Sequence, residues 1–134
     1  MNAIDNTTAI RDRKMRLSTL WIFATLNYIY ADVFSLFFVP GAQKETAIMA
    51  PGAVLGFAVL METAIAMVLL SRVLKYSANR WANIIAAVIH TLSVAASLFG
   101  GTSPAPYYLF FATIEIACTL FIIWYAWTWP RPEA

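Results

Sequence analysis

The stretch PYYLFFATIEIACTLFIIWYAWTW, residues 106–129, contains a single acidic or basic side chain, Glu115. About 20 consecutive apolar residues are enough for a helix to cross the hydrocarbon core of a bilayer. Three further runs of similar composition precede it, at residues 17–39, 52–71 and 81–99. The sequence therefore predicts four transmembrane helices.

The composition of the whole chain agrees with this prediction. Of its 134 residues, 61% are hydrophobic and 12% are charged, whereas about 25% of residues are charged in an ordinary soluble domain. We predict an all-α fold, an antiparallel four-helix transmembrane bundle that runs up-down-up-down. One membrane domain covers residues 17–130, with polar tails at 1–16 and 131–134. Residues 1–10 have no apolar pattern and are expected to be disordered.

Turn-forming residues separate the four runs. Pro40-Gly41 and Pro51-Gly52 bracket a first outer loop, residues 77–79 mark an inner turn, and residues 100–106 form a second outer loop. Basic residues near the ends of spans favour the cytoplasmic side of a membrane. Lys44 lies in an outer loop, whereas the tails and the connection between the second and third spans hold the other eight: Arg11, Arg13, Lys14, Arg16, Arg72, Lys75, Arg80 and Arg131. We therefore expect both termini to be cytoplasmic.

Several classes of site are disfavoured by what the sequence contains. The single cysteine, Cys118, excludes an intrachain disulfide and a site built from several cysteines. No basic stripe with interleaved aromatic residues is present, so nucleic acid is not an expected partner. A metal site has only weak support, because no E-x-x-H spacing occurs, and no cofactor is predicted.

Each predicted span carries one acidic or basic residue in its interior: Asp32, Glu62, His90 and Glu115. Each of the four lies about eight to ten residues from the outer end of its span, which is roughly 12–15 Å of helix. Ionisable residues inside a membrane are costly and are usually functional. We therefore predict that the four side chains converge in one buried polar layer and form the candidate site.

Two further polar residues share helix faces with this layer. Tyr28 lies one turn from Asp32, and Asn83 lies on the stripe of small and polar residues that includes His90. Three carboxyl groups cannot all be ionised together in a medium of low dielectric constant. We therefore expect one carboxylate to pair with the imidazolium of His90 and at least one other acid to stay neutral.

Several functions fit such a layer. The first is a pocket for a small lipophilic ligand. The second is an acid–base membrane enzyme, of the isomerase or cyclase type, acting on an apolar substrate. The third is a proton-coupled small transporter that works as a homo-oligomer. The fourth is a structural accessory subunit whose polar residues form hydrogen bonds between helices. The lipid bilayer is the expected partner in every case.

Three segments carry a resemblance to a known family. They are LSTLW with YIYAD at residues 17–32, LME with the later NRWAN at residues 60–83, and YYLFF with the later WYAWTWP at residues 107–130. In these the chain resembles a bacterial domain-of-unknown-function family of short four-span membrane proteins, and more distantly it is similar to DoxX-like membrane proteins. The resemblance implies a multi-pass protein of the bacterial inner membrane and implies no activity.

Overall fold

The computed structural model describes residues 2–101 and 103–131. They form five helices and, within these ranges, no strand: α1 (Ala3–Phe38), α2 (Ala42–Ala47), α3 (Pro51–Val73), α4 (Tyr76–Phe99) and α5 (Pro106–Trp127). All of them except the short α2 are long and apolar enough to cross a membrane. The predicted all-α fold with four membrane-spanning helices is confirmed.

The polar N-terminal segment differs from its prediction. Helix α1 begins at Ala3, so the disorder expected for residues 1–10 is wrong from that residue onward, and residue 1 lies outside the described residues. The reason is local, because no glycine or proline interrupts the chain between residue 2 and Val39. The helix ends before Pro40-Gly41, where Gly41 has φ +84°, a conformation that glycine adopts without strain.

The connections place the remaining helices. Pro51 and Pro106 occupy the first positions of α3 and α5, where a missing backbone N–H leaves no helical hydrogen bond unmade. The inner turn expected at residues 77–79 lies instead within α4. The Asn79 side chain donates to the carbonyls of Ser71 (2.7 Å) and Leu74 (3.3 Å) and so caps the end of α3.

Contacts between the helices establish an antiparallel bundle. Helix α1 packs against α3 and α5, and α4 packs against the same two helices. From one end of the α1–α5 pair to the other, Arg13 contacts Tyr125, Leu20 contacts Cys118 and Ser35 contacts Tyr107. We call the end that holds the start of α1 and the α3–α4 connection the basic end, and the opposite end the α2 end.

Small and polar residues fill the centre of the bundle, while large apolar residues cover its surface. Ala24, Ala64 and Ala87 are fully buried. Phe23, Leu55, Ile85, Phe110 and many similar side chains are exposed on the long helices. Membrane proteins pack in this way because lipid solvates the large side chains, whereas small residues let helices approach closely. The chain is an integral, multi-pass membrane protein.

Candidate functional site

A cavity of about 390 Å³ lies between the helices towards the α2 end. Residues of α1, α3, α4 and α5 form its walls, and Ala42 and Thr46 of α2 contribute to its lining. Its polar lining includes four of the six candidate residues, Tyr28, Asp32, His90 and Glu115, whereas Glu62 and Asn83 do not line it.

His90 is held between two aromatic rings and one hydroxyl group. Its ring is 1% exposed, stacks on Tyr28 with centroids 5.2 Å apart, and meets Trp21 edge-on at 5.5 Å. Its Nε2 atom lies 2.9 Å from Thr63 Oγ1, and that hydroxyl donates its one proton to the Leu60 carbonyl at 2.6 Å. The Nε2–H tautomer of the imidazole is the one that fits this arrangement, with Nε2 donating to Thr63. The predicted carboxylate partner of His90 is replaced here by a threonine.

Two buried polar atoms in the cavity wall have no hydrogen-bond partner among the described residues. They are the Tyr28 hydroxyl on α1 and Oε1 of Glu115 on α5, in side chains that are 4% and 5% exposed. A buried polar group without a partner costs about 1–3 kcal/mol, so such groups are rare in folded proteins. Both atoms therefore have hydrogen-bonding capacity that the described protein groups do not use.

Asp32 extends this polar surface along α1. It follows Tyr28 by four residues, which places both side chains on one face of the helix. Unlike Tyr28 it is exposed, and it lines the wider part of the same cavity. Three of the four ionisable residues of the predicted layer thus lie around one cavity.

A comparison with known families can now be set beside this geometry. A family model described as a family of unknown function, DUF6326, matches residues 9–134. The chain belongs to the DUF6326 family. No curated protein and no solved structure matches it. The family membership confirms the resemblance to a family of unknown function, while the more distant similarity to DoxX-like membrane proteins stays a prediction.

Glu62 is the one member of the predicted layer that this DUF6326 chain places elsewhere. Its side chain is exposed and does not line the cavity, so the expected convergence is wrong for this residue. Helix α3 turns Ala64, Met67 and Ser71 towards the core. At 3.6 residues per turn, Glu62 points about 180° away from their mean direction.

Asn83 also lies outside the cavity, in a buried polar network nearer the basic end. Its Oδ1 accepts from Trp21 Nε1 (2.8 Å) and Ser71 Oγ (3.2 Å). Its Nδ2 donates to the side-chain and backbone oxygens of Asn79, at 2.7 and 2.8 Å. All four of its hydrogen-bonding sites are occupied. The structure therefore gives Asn83 a part in holding α1, α3 and α4 together rather than a place in the cavity lining.

Arginines close the bundle at the basic end. Arg13 donates to the Tyr125 carbonyl at 2.7 Å and lies 4.2 Å from the centre of the Tyr125 ring. Arg80 donates to the carbonyls of Ala126 and Trp127, both at 3.2 Å, and so satisfies the last carbonyls of α5. These contacts join the basic ends of α1 and α4 to the C-terminal turn of α5.

The sequence did not single out Thr63 or Ser71, although each contacts a candidate residue. Thr63 directly follows Glu62 and Ser71 directly precedes Arg72, on a helix whose other residues are apolar on every side, so no local pattern marks these two as inward-facing. Trp21, which contacts Asn83, is predictable from sequence as a member of the helix face that carries Tyr28 and Asp32. Within residues 2–101 and 103–131, no three His, Cys, Asp or Glu side chains are grouped closely enough to hold a metal ion.

Proposed function

We propose that this membrane protein binds a small lipophilic ligand in the cavity at the α2 end, in the bacterial inner membrane. The polar group of the ligand contacts Tyr28 and Glu115, and its apolar part lies against the hydrophobic wall. The observation that carries this proposal is the pair of buried polar atoms, Tyr28 OH and Glu115 Oε1, that have no partner among the described residues.

The chemistry of these two groups limits the ligand. A phenol hydroxyl both donates and accepts, and a carboxyl group accepts or, when neutral, donates as well. A carbonyl or hydroxyl oxygen on an otherwise apolar molecule satisfies such groups without bringing a charge into the membrane. We therefore infer a neutral lipophile with an oxygen at one end, such as a long-chain alcohol or ketone.

The rest of the lining supports an apolar ligand body. Phe57, Leu60, Met61 and Val94 contribute hydrophobic surface. Ser97 is a polar residue of the same lining, but its hydroxyl already contacts the Tyr108 hydroxyl at 2.7 Å. A volume of about 390 Å³ is within the range of about 300–1,000 Å³ that is usual for small-molecule sites.

The closed basic end favours binding over transport. Towards the basic end, Leu17, Trp21 and Ile122 are fully buried members of one packed hydrophobic cluster. A transporter needs access to its site from both sides of the membrane. A cavity that lies towards one end of the bundle, beside a packed core, suits a binding protein.

A set of three probes with matched chains tests this proposal: 1-decanol, 2-decanone and decane. Each is added at the same mole fraction to the purified protein in detergent micelles, and the melting temperature is measured. We expect the alcohol and the ketone to raise it and decane to leave it unchanged. Equal shifts with all three probes, or no shift with either oxygenated probe, would contradict the proposal.

Variants then assign the effect to the cavity. Tyr28→Phe and Glu115→Leu are each expected to weaken binding of the oxygenated probes about fivefold, the effect of one hydrogen bond of about 1 kcal/mol. Tyr107→Phe is the matched control, because the Tyr107 hydroxyl contacts Ser35 and the residue does not line the cavity. If Tyr28→Phe and Tyr107→Phe bind the probes equally well, the hydroxyl of Tyr28 does not hold the ligand.

A further inference from the structure

Glu62 is an ionisable residue that the proposed cavity does not use. It is the central residue of α3, which runs from Pro51 to Val73, and so it lies at mid-depth in the membrane. Its side chain is exposed, and among the described residues its carboxyl group makes no hydrogen bond or ion pair. A carboxyl group at this depth cannot reach water at either end of the helix, so lipid is a costly environment for it.

The face of α3 around Glu62 belongs to the least buried of the four long helices. Of the four long helices, α3 buries the smallest share of its residues, and it packs mainly against α1 and α4. Ala58 and Ala66 lie one turn before and one turn after Glu62 on the same face. Small residues in these positions let another helix approach the carboxyl group closely.

The partner that best fits this face is a second copy of the same chain. A two-fold axis along the membrane normal brings identical residues of two copies together at the same depth. A neutral carboxyl group has one donor and one acceptor, so it is complementary to itself. The one basic side chain within the apolar runs, His90, is 1% exposed and cannot reach a neighbouring copy to form an ion pair.

We propose that the outer face of α3 is the contact between two copies of this chain, with their neutral Glu62 carboxyl groups hydrogen-bonded to each other. Ala58 and Ala66 form the close helix contact on either side. This contact lies on the opposite side of α3 from the core and does not depend on what the cavity binds.

Disulfide cross-linking in membranes tests the contact without removing the carboxyl group. The reporter is Ala66→Cys in a background where the native Cys118, which is buried, is replaced by Ala. The matched control is Ile89→Cys, which is 47% exposed near the middle of α4. We expect Ala66→Cys to form a disulfide dimer of twice the chain mass at least about tenfold faster than Ile89→Cys, because only the former lies in a specific contact.

Changes at Glu62 itself separate its hydrogen bond from general crowding. With the Ala66→Cys reporter, Glu62→Gln retains a donor and an acceptor and should cross-link within about twofold of the parent. Glu62→Leu should cross-link about fivefold less, the effect of a hydrogen bond of about 1 kcal/mol between helices. Equal rates at Ala66 and Ile89, no effect of Glu62→Leu, or a cross-linked product with a different protein would each overturn the proposal.

Discussion

Replacement of Tyr28 by Phe is expected to stabilise the ligand-free protein, the opposite of the usual effect of a substitution in a core. The Tyr28 side chain is 4% exposed, and its hydroxyl has no partner among the described residues. Burial of a hydroxyl without a hydrogen bond costs about 1–3 kcal/mol in mutational data. The phenyl ring keeps the stacking contact with His90 at 5.2 Å. We therefore expect a gain of about 1–2 kcal/mol in the free energy of unfolding.

Reversible unfolding in mixed micelles, followed by far-UV circular dichroism, measures this change. The control is Tyr107→Phe, which removes a hydroxyl that contacts Ser35 Oγ at 3.0 Å. That variant should lose about 0.5–1.5 kcal/mol, the net contribution of a typical hydrogen bond. A loss of about 1 kcal/mol or more for Tyr28→Phe would show that the hydroxyl has a partner in the folded protein, and the reasoning behind the binding site would then fail.

Three other substitutions probe the polar contacts of the bundle. Asn83→Leu should destabilise the protein by about 2–4 kcal/mol, because it leaves the buried Trp21 N–H without a hydrogen-bond partner. A double-mutant cycle with Trp21→Phe, measured in the same unfolding assay, should give a coupling energy of about 1 kcal/mol, and a coupling of zero would contradict the contact. Thr63→Val should change the ¹⁵N chemical shift of His90 Nε2 by removing its hydrogen-bond partner, and an unchanged spectrum would contradict that contact. Arg80→Gln should speed amide hydrogen exchange in the last turn of α5 and leave the first turn unchanged, since Arg80 bonds only the C-terminal carbonyls of that helix.

The number of spans and the identity of the inward face of α4 were predictable from sequence. Each apolar run is about long enough to cross the hydrocarbon core and ends near proline, glycine or a charged residue, so few other interpretations exist. On α4 the inward residues Asn83, Ala86, Ala87 and His90 are all buried. They differ from their outward neighbours in size and polarity, and this contrast identifies the inward face of α4 from sequence alone.

Helix α3 lacks such a contrast between its inward and outward residues, which explains why the sequence wrongly predicted that Glu62 faces the interior. The helix is apolar around its whole circumference, and alanines occur on both its inward and its outward faces. The alanines at positions 58 and 66 suggested a close inward contact, whereas Ala64 is the one that is buried. The choice depends on which side α1 and α4 occupy, and this information comes from the neighbouring helices rather than from α3 itself.

The start of α1 shows a related limit. Its composition is polar, and a polar segment without an apolar stripe is commonly disordered. Arg13 nevertheless contacts both the ring and the carbonyl of Tyr125, a residue 112 positions away in the sequence. A long-range contact of one arginine cannot be inferred from local pattern.

The buried polar groups are hydrogen-bonded to one another in one half of the bundle and partly unpaired in the other, and this difference is the main argument for a binding site. Near the basic end, Asn79, Asn83 and Ser71 satisfy one another, so these buried polar atoms contribute to stability. Towards the α2 end, Tyr28 and Glu115 retain atoms that lower stability when they lack a partner. A purely structural polar layer would be expected to satisfy both ends alike. Unpaired atoms confined to the wall of a cavity are what a protein needs when a bound molecule supplies the missing hydrogen bonds.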